Sequence, residues 1–175
     1  MSGTLRWVWT VLGIVSWSLA FSQSSPSMLA EWRSLYRQAA LSETAGPMAQ
    51  FMATACEQQP SNDQALGFHA VAELMLAEET WNPMDKLQRF NEWKPVLEGV
   101  LSELPHDPDM ALLRLGVQEH VPLFLDYHDD MPRDRAVVQQ GLDQKHWAED
   151  PNHQLFVQEF LLSLKATHNQ PNPKR

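Results

Sequence analysis

The sequence predicts an all-α protein of about seven antiparallel helices stacked as helical hairpins, and three observations predict it. A capping residue followed by proline recurs at Ser25-Pro26, Asn82-Pro83, Asp107-Pro108 and Asp150-Pro151. The pair suits a helix first turn: the side-chain oxygen accepts from backbone N–H groups left free there, and proline has no N–H to leave unpaired. The segments between these pairs carry apolar residues at helical spacing. No segment alternates apolar and polar residues between hairpin-turn residues, as a half-exposed sheet would.

Three weaker starts complete the set. Gly46-Pro47 and Asp130-Met131-Pro132 resemble the proline-marked pairs, with Asp130 as the capping residue of the latter, and Ser61 with Gln64 has capping-box spacing. The predicted starts therefore lie near 26, 47, 62, 83, 108, 132 and 151.

Ahead of the first helix, Arg6 precedes an uncharged, mostly apolar run from Trp7 to Phe21, and Ala20 and Ser22 are small residues placed for cleavage before Gln23. This order reads as a secretory signal peptide over 1–22. The apolar run is shorter than the roughly 20 residues a membrane span requires, and no cysteine follows it as a lipid-anchor site. The expectation is an exported protein, periplasmic or secreted, with one helical domain over 23–166, no membrane span after cleavage and a polar, proline-broken, disordered tail over 167–175. The formal charge of −9 repels phosphate backbones, so nucleic acid is not an expected partner.

Each helix has an identifiable buried side. Met28, Leu29, Trp32, Leu35, Tyr36 and Ala39 share one face of the first, and Met48, Phe51, Met52, Ala55 and Cys56 share one face of the second. Cys56 is the sole cysteine, so it forms no internal disulfide, and its apolar setting is that of an inert thiol. The third helix, about 62–79, is apolar around most of its circumference. The fourth uses Leu87, Phe90, Val96, Leu97, Val100, Leu101 and Leu104, with Pro95 as an expected kink. Val137, Val138 and Leu142 mark a short sixth helix, and Leu155, Phe156, Val157, Phe160, Leu161 and Leu164 mark the seventh.

The fifth helix is the one the others should surround. From Asp107 to Val121 it is apolar on most sides, with the cation Arg114 set four residues before Gln118. Pro122 prevents regular continuation, so this helix should end near Val121. A helix apolar nearly all round is packed on several sides. The third and fifth helices are therefore expected to be innermost.

Spacing adds a resemblance. The starts at 26 and 62, and those at 47 and 83, are each 36 residues apart. Two helices in that length resemble the tetratricopeptide unit, a helical hairpin of about 34 residues that stacks on the next copy. The stretch Val96 to Pro108 resembles the end of such a unit, although its usual Trp, Gly and Tyr signature is missing. More particularly, Arg114-x-x-x-Gln118-x-x-x-Pro122-x-Phe124-Leu125-x-Tyr127 resembles the central signature of a family of short exported α-helical bacterial proteins with no assigned activity. Asn82-Pro83 and the helix ending Leu74-Met75-Leu76-Ala77 are similar to that family too. The resemblance implies an all-α fold and export, and no reaction.

Two groups of residues are candidates for a site. Arg114 and Gln118 share a helical face, and with Tyr127 they can bind and orient a carboxylate ligand. Alternatively Arg114 belongs to a buried structural network, with Glu73 on the third helix as the expected acidic partner. Asp126, His128, Asp129 and Asp130, with His120 upstream, concentrate ligands suited to a divalent cation. A solvated acidic loop in which Asp130 caps the next helix accounts for the same residues. His146 and His153, flanking Trp147 and Asp150, read as polar turn residues. No nucleophile motif, phosphate-cradling loop or cofactor signature is present, so neither a catalytic residue nor a cofactor is assigned. The expected function is binding of a protein or peptide partner by a non-enzymatic helical protein, with a small-ligand or metal-binding protein, or an enzyme, as the alternative.

Overall fold

A computed structural model describes residues 24–168, which form seven α-helices: α1 Pro26–Ser42, α2 Gly46–Gln58, α3 Asp63–Glu79, α4 Pro83–Glu103, α5 Pro108–His120, α6 Met131–Asp143 and α7 Pro151–His168. A short 3-10 turn, Leu123–Leu125, follows α5. No strand occurs among the described residues. The fold is thus all-α, as predicted. The predicted signal segment and residues 169–175 of the predicted tail lie outside the described residues, and α7 runs two residues past the predicted domain end at 166.

The helix starts follow their local chemistry. Asn82 accepts from Met84 N–H at 3.0 Å, and Asp107 accepts from the N–H groups of Asp109 and Met110 at 2.8 and 3.1 Å. Asp150 accepts from His153 N–H at the start of α7. Two capping assignments are corrected. Asn62, not Ser61, caps α3, accepting from Ala65 N–H, because only its carbonyl stands three residues before that donor. Asp130 occupies the capping position of α6 but makes no side-chain cap, since its carboxylate is turned toward Arg114. At α2 the cap comes from elsewhere: Glu79 accepts from Ala45 N–H.

Consecutive helices pack as hairpins, with α2 on α3, α3 on α4 and α5 on α6, while α3 also packs on α5 and α7 returns against α1 and α6. α4 runs on through Pro95 without interruption. Pro95 and Asn91, whose carbonyl loses its helical donor, are both exposed, so water can serve that carbonyl.

The third and fifth helices are innermost, as expected. Every residue of α5 from Asp109 to Gln118 is buried, and eight residues of α3 are buried. Close approach of these helices to their neighbours depends on glycine. A Cβ on Gly67 would collide with Met110 Sδ of α5, and one on Gly116 would stand 2.5 Å from Tyr36 Oη of α1. Trp32 packs on Phe68, Tyr36 meets the edge of Phe156, and Met48, Met52, Leu97, Leu112 and Leu113 fill the space between.

Candidate functional site

The central helix carries two buried charges, and each is enclosed by residues from other helices. Arg114, 2 % exposed, leaves α5 on the side packed against α6. Its Nε and Nη2 donate to the two oxygens of Asp134, both at 2.7 Å. Its Nη1 donates to Glu98 of α4 at 2.8 Å and stands 3.2 Å from Asp130. Burial alone would lower the guanidinium's affinity for its proton, but the hydrogen bonds and charges of these carboxylates raise it above the ordinary value. Burial pushes the Asp134 carboxyl up, the Arg114 hydrogen bonds and charge pull it down, and Asp130 pushes it up again. The two-pronged geometry is that of a guanidinium–carboxylate ion pair.

Tyr127 joins this centre by donating to the second oxygen of Glu98. Burial first, and then that hydrogen bond, raise its hydroxyl pKa. Its ring meets the edge of Phe90 at 5.7 Å, with Lys94 Nζ 4.5 Å above its face. Gln118, one turn beyond Arg114, is fully buried, and neither its amide nitrogen nor its oxygen has a hydrogen-bond partner.

Glu73 is not the partner of Arg114. It lies on the side of α3 packed against α4, where Arg89 donates to it and His69 stands 3.6 Å away. Residues on two inner helices need not face each other, and here each charge turns toward a different neighbour.

The acidic loop after α5 does not converge. Asp126 and Asp129 are exposed, with Asp126 at φ 49° where the chain reverses, and Asp130 is engaged with Arg114. His120 folds back so that its Nδ1 is 2.9 Å from Gly116 carbonyl, and His128 offers its carbonyl to Met131 N–H. Among the described residues no three His, Cys, Asp or Glu side chains are grouped to hold a metal ion. Cys56 is half-buried, and burial pushes its thiol up to about 11, which keeps it a thiol at neutral pH.

The second buried charge is Asp109, in the first turn of α5. Arg33 of α1 donates to it through Nε at 2.9 Å and Nη2 at 2.6 Å, and Trp147 Nε1 donates at 2.8 Å. His146 Nε2 lies 2.9 Å from the same carboxylate. Burial would raise the Asp109 pKa, but the hydrogen bonds from His146, Arg33 and Trp147 and the charge of Arg33 hold it well below the ordinary carboxylate range. His153, 1 % exposed, places Nε2 3.8 Å from Asp109, and neither ring nitrogen has a hydrogen-bond partner. It is stacked on Phe156 at 5.9 Å and set against Trp147 at 5.8 Å. Burial lowers its pKa to about 4, with Arg33 and Arg37 adding to the fall and Asp109 and Asp150 opposing it.

The reading of His153 as a polar turn residue is thus corrected: with Trp147 it is a core residue that closes α6 and α7 over Asp109, whereas His146 is an exposed turn residue, as read. The sequence signal was Arg33, a cation between Trp32 and Tyr36 on a helix whose apolar face it shares. A buried cation there requires a buried anion.

Two surface concavities lie elsewhere. An open cleft of about 420 Å³ runs along α2, lined by Pro47, Gln50, Phe51, Thr54, Ala55 and Gln58. A second, of about 310 Å³, is formed by His106, Pro108 and the outer side of α6. Neither includes Arg114, Gln118 or Tyr127. Among the described residues no helix is long and apolar enough to cross a membrane. Comparison with known proteins found no matching family model, no matching curated protein and no matching solved structure.

Proposed function

We propose that this protein is a non-enzymatic, exported helical protein that binds a protein or peptide partner. The observation that supports this reading over a ligand pocket is the engagement of Arg114. Its guanidinium is met by three carboxylates within 3.2 Å and is 2 % exposed, so it has no face left to offer a small anionic ligand. Tyr127 is likewise directed at Glu98 rather than at an open cavity. What remains for recognition is the outer surface, which is where helical-hairpin proteins of the tetratricopeptide kind bind their partners. Packing of α1 on α3 and of α3 on α5, between alternate helices, supports that likeness. Export rests on the charged-then-apolar order of residues 6–22.

Native mass spectrometry of the protein isolated from its own source tests this reading. The expected result is a mature chain starting near Gln23 in complex with another polypeptide. A stoichiometric small-molecule adduct that disappears in Arg114→Met would overturn it in favour of a pocket.

A further inference from the structure

The ends of the helical stack differ. Ser24 hydrogen-bonds Asn62, and Gln64 hydrogen-bonds Asp107, so the start of the described chain and the starts of α3 and α5 share one end. The contact of Ala45 with Glu79 brings the α1–α2 turn to the last turn of α3 at the other. Because α5 starts beside the start of α3 and packs along it in the same direction, the turn that follows α5, with Leu123 and Phe124, lies at that same end.

Five large apolar side chains are exposed there, all at helix ends or in turns. They are Leu41 at 77 %, Trp81 at 97 %, Met84 at 71 %, Leu123 at 83 % and Phe124 at 82 %. Isolated exposed leucines are ordinary on a soluble protein, but a grouping of this size marks an interaction surface. Tryptophan is, moreover, among the residues that anchor protein interfaces. Among the described residues the exposed charges around the group are mostly acidic: Glu43, Glu78, Asp85, Asp126 and Asp129 are exposed, against the exposed Lys86.

We propose that this end of the stack is the docking surface, and that its occupant is a basic amphipathic segment of another protein. Such a segment buries its apolar side on Trp81, Met84, Leu123 and Phe124 while its lysines or arginines meet the surrounding carboxylates. The inference rests on the partner-binding reading above and specifies its surface and partner chemistry. Charge selects this occupant over the two rivals. A second copy would bring the same acidic rim against this one, and an anionic bilayer would be repelled by it.

The test uses the full mature protein and an 18-residue fluorescent Leu/Lys amphipathic peptide, with a Leu→Ser twin and a Lys→Glu twin as probes. Binding to the Leu/Lys peptide alone is expected, weakened at least tenfold by Trp81→Ser with Phe124→Ser and weakened again by 0.5 M salt. Leu155→Ser, a 54 % exposed leucine near the opposite end, should leave it unchanged. Met84→Ser serves as an independent variant should the double change alter the thermal melt. Equal binding by wild type and variants would overturn the surface. So would Trp81-dependent binding to phosphatidylcholine vesicles without preference for the Leu/Lys peptide, or self-association abolished by the same changes. A native polypeptide complex that survives Trp81→Ser with Phe124→Ser overturns this surface but leaves partner binding standing. Failure to find any such complex overturns partner binding itself.

Discussion

Arg114 and Asp134 face each other as a two-pronged ion pair, each of two guanidinium nitrogens 2.7 Å from its own carboxylate oxygen, across the α5–α6 hairpin. Neither is more than 3 % exposed at the side chain. A second pair, Arg33 with Asp109, joins α1 to the start of the same central helix. The two pairs tie α1 and α6 to α5 through directional hydrogen bonds, which apolar packing does not supply. Their contribution is therefore to the register of the fold more than to its net stability, since desolvation offsets much of the attraction of a buried pair.

Removing one partner should be costly. Arg114→Met leaves Asp134 buried with its bidentate donor gone, and should lower unfolding free energy by about 3–5 kcal/mol. Arg114→Met with Asp134→Leu should recover much of the loss, whereas Arg114→Met with Glu73→Leu should not, because Glu73 serves Arg89. Urea denaturation of the three variants checks this. Recovery by the Glu73 change would contradict the pairing.

The proline-marked starts of α4 and α5 permit a graded comparison. Asn82 accepts one backbone N–H at an exposed site, while Asp107 accepts two and also receives Gln64 Nε2 at 2.8 Å. Both Asn82→Ala and Asp107→Ala should destabilise within about 0.5–2 kcal/mol, with Asp107→Ala the larger. Thermal or urea melts suffice, and a reversed order would place the weight of capping elsewhere.

These starts were legible in the sequence because capping is local: a residue, a proline and N–H groups two or three positions on. Burial of α3 and α5 was legible for a similar reason, since it depends on one helix's own circumference. Pairing of charges was not. Arg114 meets an aspartate 20 positions away on another helix, and Asp109 meets an arginine 76 positions away. Nothing in the local pattern distinguishes Asp134 from Glu73 as an acceptor, because the choice depends on which faces of two helices are opposed. His153 misled for the complementary reason. Its neighbours Asp150 and Asn152 are turn and cap residues, and only tertiary closure of α7 over α1 buries its ring.

Gln118 offers a change expected to stabilise. It is fully buried with both polar amide atoms unpartnered, and an unsatisfied buried amide carries its desolvation cost without return. Gln118→Met keeps the length and flexibility of the side chain and removes both polar atoms. The unfolding free energy should rise by about 1–3 kcal/mol. A fall in the urea midpoint would mean that the amide is satisfied in solution.

Acid should weaken the fold in two steps, of which the first belongs mainly to His153, with a smaller share from His69, whose pKa burial also lowers. The folded pKa of His153 is about 4 and its ordinary value 6.5. Above pH 6.5 both states are neutral at this ring and it contributes no pH dependence. As pH falls below 6.5 the unfolded chain takes up the proton and the folded one does not, so stability declines until about pH 4 and then levels off for this group. At about 1.4 kcal/mol per pH unit the loss is roughly 3 kcal/mol. Asp109 acts in a lower window: its depressed folded pKa gives stability that is complete above the ordinary carboxylate value and is lost as pH falls below it. His153→Phe, which keeps a flat ring between Trp147 and Phe156, should therefore flatten the stability profile between pH 6.5 and 4 while leaving the steeper fall below pH 4. Urea midpoints measured across that range decide the matter, and a slope unchanged in His153→Phe would assign the first step to another group.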